Sequence, residues 1–263
     1  MTSQTQIRSD LQDGILTLTL DGPKSRNAIG PHVYQPLQAA LIDAAQDPAV
    51  RCVVLTGAGG FFCSGGDVNA LKDSANETMA QVTARTDGLN AAIRAVRGCR
   101  VPVIAAVEGG AAGAGLSLAL ACDMIVAAEA AKFVAAYVRV GLTPDGGATW
   151  FLREALPHQL VMELCTLGAP VSAERLAQFG VVNVLAAPET ALEVATELAR
   201  KIAAGPAQAI ARIKAEIVAA PKNDLATHLN LEADGINIAR FGPEAAEGLA
   251  AFLEKRTPVF GKE

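Results

Sequence analysis

The stretch VPVIAAVEGGAAGAGLSLALACDMIVA, residues 101–127, decides the fold. It opens with a continuous apolar run, Val101 to Val107, which reads as a strand with no wet face. Glycines and alanines follow, a small-residue helix occupies Gly113 to Ala121, and Asp123 to Ala127 forms a second short apolar run. Strand, glycine turn, helix and strand in that order predict a parallel sheet, covered on both faces and joined by right-handed crossovers.

Toward the N-terminus the same succession recurs. Gly14 to Leu20 (GILTLTL) alternates apolar residues with threonine, the period of a strand with one wet face, and DGPKSRN breaks it. Pro31 to Gln46 carries Val33, Leu37, Leu41 and Ala45 at helical spacing, and Arg51 to Thr56 (RCVVLT) is again a buried strand. A polar helix is expected through Ala80 to Val96, while the Lys72 to Thr86 segment shows little pattern and reads as mobile. Beyond about Ala186 the strand signal stops. Helical patterns fill Pro188 to Ala204 and Ala207 to Ala219, and two more helices lead to TPVF at 257–260. The chain therefore divides into a β/α core over 1–200 and an all-helical region over 201–263. Leu225, Leu229, Leu231, Ile236, Ile238, Leu249 and Phe252 exceed what short helices can cover, which predicts self-association through the tail.

A length of 263 residues suits one core plus an appendage, and 51% apolar against 19% charged residues excludes intrinsic disorder. The net charge of −5 without a basic run argues against nucleic acid or anionic lipid as partner. Five cysteines without a CxxC motif fit neither a disulfide framework nor a zinc site and point to a reducing, cytoplasmic compartment. The opening MTSQTQIRSD lacks the apolar core of a secretory signal. The most membrane-like stretch, Gly109 to Cys122, has 14 uncharged residues, too few to span a bilayer.

Two loops have the composition of backbone-donor sites: residues 61–67 (FFCSGGD), after the RCVVLT strand, and 109–115 (GGAAGAG), at a helix start. Small residues let a ligand approach free N–H groups, and two converging N–H groups, one at a helix N-terminus, stabilise an oxyanion. Tight packing of strands on helices uses the same residues, and GGAAGAG is not a dinucleotide fingerprint. Asp145, in GLTPDGG, reads either as the N-cap of a helical run beginning near Ala148 or as a carboxylate facing an apolar cavity, where its proton affinity would rise. Asp67 reads as a cap for a helix starting at Val68. His32, His158 and His228 have no metal or triad spacing and read as surface residues, as do the cations Lys24, Arg26 and Lys255.

In this order the motifs resemble the crotonase family, the enoyl-CoA hydratase and isomerase superfamily. They are SRNAIG at 25–30, VVLTGAGGFFCSGGDV at 53–68, residues 102–133, GLTPDGGATW at 141–150 and EGLAAFLEKRTPVF at 247–260. The resemblance implies an α/β fold, a spiral of ββα repeats with a helical C-terminal trimerisation region, often paired into hexamers. It implies an acyl-CoA thioester as substrate, coenzyme A being part of that substrate with no separate cofactor and no metal. The N–H groups of Ser64 and Ala114 match the pair that holds the thioester oxygen, with Gly113 beside them. Ala28, Gly66, Asp67 and Val68 match the stretch along pantetheine and adenine. Lys24 and Arg26 fall near the nucleotide phosphates, and Phe252 and Lys255 match tail residues reaching a neighbour's CoA.

The departures from the family's hydratases narrow the chemistry. Their two glutamates are matched here by Ser117 and Tyr137, so Asp145 is the acid that remains, at the position where isomerases of the family place theirs. An isomerase is therefore expected. Weaker readings are a hydratase using Asp145 alone, a dehalogenase-like enzyme (disfavoured by Asn90 and Tyr137 at its His and Trp positions) and a non-catalytic acyl-CoA binder.

Overall fold

The computed structural model describes residues 4–67, 72 and 76–260. A six-stranded sheet forms the centre. Its strands are β1 (Gln6–Gln12), β2 (Ile15–Asp21), β3 (Cys52–Gly57), β4 (Val103–Val107), β6 (Met124–Ala128) and β9 (Val184–Ala186), in spatial order β1-β2-β3-β4-β6-β9. The β1–β2 hairpin is antiparallel and every later pairing is parallel. A second sheet of three short strands, β5 (Gly110–Ala112), β7 (Lys132–Val134) and β8 (Val171–Ser172), stands beside it.

The apolar runs are continuous because both faces of the main sheet are covered. Val53, Leu55, Val103 and Ala105 point into the larger core, which contains α1 (Pro31–Gln46), α2 (Met79–Gly98) and α3 (Ala114–Ala121). Cys52, Val54, Ile104 and Ala106 point the other way, onto Ala191, Ala195 and Ala199 of a helix at Ala191–Ala203. Alanine at every fourth position gives that helix a flat face that sits close to the strands. Between α3 and it lie α4 (Ala148–Ala155), α5 (His158–Leu167) and α6 (Ala173–Gln178), which makes the helix α7.

The tail comprises α8 (Ala207–Ala219), α9 (Leu225–Arg240) and α10 (Pro243–Glu254). It is tied to the core at Lys214, whose buried ammonium lies 2.6 Å from Asp123 and donates to the Val101 carbonyl at 3.0 Å. Helix α9 buries none of its residues, and Leu225, Ile236, Phe241 and Phe252 are exposed. No helix among the described residues is long and apolar enough to cross a membrane.

Three differences from the sequence reading have physical causes. Strand β1 is an edge whose side chains are almost all exposed, so it carries no apolar alternation. The short strands β5, β7 and β8 are below the length at which periodicity is visible. Helix α2 begins inside the segment that reads as patternless: Thr78 and Gln81 form a reciprocal capping box, a signal present in the sequence as TMAQ.

The turn after β2 is fixed by Asn27. This residue is fully buried and has a φ of +57°. Its side chain accepts from the Gly22 N–H at 2.9 Å and donates to the carbonyls of Ala58, at 2.9 Å, and Phe61. Asn27→Ala would strand these groups without partners in a dry seam, at about 1–3 kcal/mol for each orphaned group. Urea unfolding should show a loss of about 3 kcal/mol or more, and a change below about 1 kcal/mol would refute this role for the amide.

Candidate active site

The three loops anchored by Asn27 and the two sheets run side by side as a main-chain ladder. Residues 63–66 form its middle rung. On one side the Ile29 N–H donates to Gly65 O at 2.8 Å and the Ser64 N–H to Arg26 O at 2.9 Å. On the other the Cys63 N–H donates to Gly110 O at 3.3 Å and the Ala112 N–H to Cys63 O at 3.0 Å. Gly65 has a φ of +98°, and a Cβ there would fall 2.7 Å from Ala112 O and 3.3 Å from Ala114 N, so only glycine lets the loops meet.

After these bonds the N–H groups of Gly66 and Ala114 have no acceptor among the described residues. Ala114 opens α3, preceded by Gly113, whose own N–H donates to Val134 O at 2.9 Å. Its free amide is therefore at the positive end of the helix dipole. The expectation that Ser64 supplies the other donor is corrected here: its N–H is held by Arg26 O and its hydroxyl by Ser25 O at 2.9 Å. Gly65, with its φ of +98°, breaks the extended run between the two residues, so the Gly66 amide does not repeat the Ser64 bond and stays free of the ladder.

Helix α3 also locates the acid. Ser117 lies one turn after Ala114 and donates to the backbone carbonyl of Asp145 at 2.8 Å. The Tyr137 hydroxyl donates to Asp145 Oδ1 at 2.8 Å and lies 3.0 Å from Ser117 Oγ. Gly146, with φ +57°, permits the turn, since a Cβ there would be 2.9 Å from Ser117 Cβ. The capping alternative for Asp145 is excluded: the N-cap of α4 is Gly147, with no side-chain cap bond. Burial raises the Asp145 carboxyl above the ordinary carboxylate range, and the Tyr137 hydrogen bond offsets part of the rise. The Tyr137 phenol is itself pushed far up by burial and by the Asp145 charge, so it remains a neutral donor.

The other candidates are placed unevenly. Ala28 is buried with its N–H on Ser25 Oγ at 3.3 Å; Lys24 and Arg26 are exposed, and the Arg26 guanidinium sits 5.5 Å over the Phe61 ring. Asp67 lies near His32, which is half-buried, not a surface residue: its Nε2 is buried without a partner. Val68, and with it the helix that Asp67 was expected to cap, lies outside the described residues. Phe252 is 81% exposed on α10, and Lys255 ends that helix in a left-handed conformation; within one chain α10 packs on α9, so neither is brought to the cleft. Two features escaped sequence reading, the Gly66 amide and the Tyr137–Asp145 bond, because both depend on the partners chosen by the fold.

Known proteins resemble this chain in both sequence and fold. The family model described as Enoyl-CoA hydratase/isomerase matches residues 10–263. The chain is 36% identical over 255 residues to a 1,2-epoxyphenylacetyl-CoA isomerase of Escherichia coli K12, covering 97% of each chain. It is 33% identical to the 2,3-dehydroadipyl-CoA hydratase of the same organism, covering 95% of this chain and 96% of that one. A crystal structure of an enoyl-CoA hydratase from Polaromonas sp. JS666 superposes with a TM-score of 0.95 at 42% identity, covering 97% of this chain and 100% of that one.

Because the Tyr137 bond stabilises the ionised carboxylate, removing it should leave burial opposed only by the residue's own backbone N–H. A carboxyl-carbon NMR titration of Asp145 should give a midpoint above that of an ordinary aspartate, and Tyr137→Phe should move it higher still. An unchanged or lowered midpoint would show that the bond does not act on the carboxylate.

Proposed function

The chain belongs to the enoyl-CoA hydratase/isomerase family, the crotonases, and on that footing we propose that it is an isomerase that moves a double bond, or opens a strained ring, in an acyl-CoA thioester. The observation that carries this reading is one carboxylate of raised proton affinity, bonded by a neutral phenol and anchored on the same helix that offers a free amide. Hydration needs a base to activate water and an acid to deliver a proton to carbon, and the side chains flanking Asp145 are hydroxyls.

In the proposed reaction the thioester oxygen sits between the Gly66 and Ala114 amides. Asp145 removes a proton beside the carbonyl or at the vinylogous carbon, and the electron pair flows into an enolate whose oxygen the two amides stabilise, at about 3 to 4 kcal/mol for each donor in a dry site. Tyr137 holds the carboxylate in one orientation. The Asp145 carboxylic acid, whose proton exchanges with solvent during the enolate's lifetime, then returns a proton to another carbon, so nothing is added or lost overall and no cofactor beyond the substrate's own CoA takes part. Lys24, Arg26 and Asp67 are proposed to meet the CoA nucleotide. The exposed apolar residues of α9 and α10 are proposed to pack on further copies as a trimer or hexamer, which would carry Phe252 and Lys255 to a neighbour's CoA. The hydratase reading, with Asp145 activating water, is favoured by relatives bearing that name.

Asp145→Asn should reduce turnover by about 10³-fold or more while acyl-CoA affinity stays within about 3-fold, since only the proton carrier is lost. Wild-type enzyme incubated with a 3-enoyl-CoA and with crotonyl-CoA in deuterated buffer separates the readings. Label exchanged into the chain with the double bond moved supports isomerisation; formation of a 3-hydroxyacyl-CoA at a comparable rate would establish the hydratase instead.

A further inference from the structure

A second phenol stands by the cleft, and neither the fold nor the proton transfer uses its hydroxyl. Tyr34 lies on the inner face of α1 and is only 7% exposed. Its ring packs on α2, where a Cβ on Gly88 would come within 3.3 Å of Tyr34 Cδ2. The next α2 residue, Leu89, reaches Gly146, where a Cβ would come within 3.2 Å of Leu89 Cδ2, and Gly146 directly follows Asp145. Two consecutive residues of α2 thus join Tyr34 to the acid. Electrostatics agrees with the placement: after burial, the Asp145 charge is the largest influence holding the Tyr34 phenol above its usual pKa.

No protein group among the described residues accepts from the Tyr34 hydroxyl. The oxygen is nevertheless not sealed in, because the fully buried, unpartnered side-chain polar atom among the described residues is His32 Nε2. The phenol oxygen therefore keeps some access to space outside the protein, and burial together with the Asp145 charge keeps it a protonated donor. Stripped of most of its water and left without a protein acceptor, such a donor favours a ligand oxygen in the right place. A hydrocarbon acyl group would leave it unsatisfied, and sites built to hydrogen-bond a substrate oxygen discriminate strongly against analogues that lack it.

We propose that Tyr34 is a substrate-contacting specificity residue that donates to an oxygen on the acyl group, so that the preferred substrates are acyl-CoA thioesters bearing a keto, hydroxyl or epoxide oxygen. The proposal rests on the acyl-CoA reading above. It is tested with saturated esters, which have no double bond to move and so report on binding alone. Titration calorimetry with hexanoyl-CoA, 4-oxohexanoyl-CoA and 5-oxohexanoyl-CoA is carried out on the wild-type protein and on Tyr34→Phe, with thermal midpoints as a check on folding. At least one oxo ester should bind the wild type about 10-fold more tightly than hexanoyl-CoA. In Tyr34→Phe that preference should fall to about 2-fold or less, with hexanoyl-CoA affinity unchanged. A wild type without the preference overturns the proposal, as does a preference that survives in the variant. An equal loss for all three esters marks a packing role and overturns it too. Failure of hexanoyl-CoA to bind the wild type removes the acyl-CoA reading itself and the proposal with it, which distinguishes the two failures.

Discussion

The site depends on a lateral ladder of main-chain hydrogen bonds in which residues 63–66 are held between 26–29 and 110–112. The Cys63 and Ser64 amides are engaged on opposite sides, and the positive φ of Gly65 takes the next amide, that of Gly66, out of the pattern and leaves it free. The ladder ends where α3 begins, so the first free amide of the helix, Ala114, comes beside it. Donors already in place require no reorganisation when negative charge develops beside them, which is why two neighbouring free amides suit the proposed role in catalysis. Asn27 supports the arrangement from below by satisfying the groups that the turns would otherwise leave dry.

The acid is coupled to those donors through a single helical turn. Ala114 offers its amide and Ser117, three residues on, holds the Asp145 carbonyl, so the rigidity of α3 fixes the acid relative to the oxyanion position. Two opposing influences set the carboxyl: burial favours its protonated form, and the Tyr137 hydroxyl favours its ionised form. A carboxylate whose proton affinity is raised in this way is better suited both to take and to return a proton. Small residues are a structural requirement throughout, since Gly65, Gly115 and Gly146 each stand where a Cβ would press on a neighbouring loop.

The remainder of the molecule supports these loops. The main sheet is packed on both faces, which holds the ends of β3 and β4 in place, and the Lys214–Asp123 pair ties the tail to the segment that follows α3. The apolar side chains left exposed on α9 and α10 are not covered by any of the described residues.

The sequence by itself determined the alternation of buried strands and helices, the helical tail with its surplus apolar residues, and the two glycine loops, because periodicity and turn chemistry are local properties. It also identified Asp145, which stands in an unusual run of glycine and proline. Only the tertiary structure decided which amide of residues 63–66 stays free, whether Asp145 caps a helix or meets a phenol, and that Tyr34 on α1 neighbours residue 145 through α2. Hydrogen-bond partners such as Arg26 with Ser64, or Tyr137 with Asp145, are set by the crossing of separate segments, and no local pattern in the chain encodes which of them will meet.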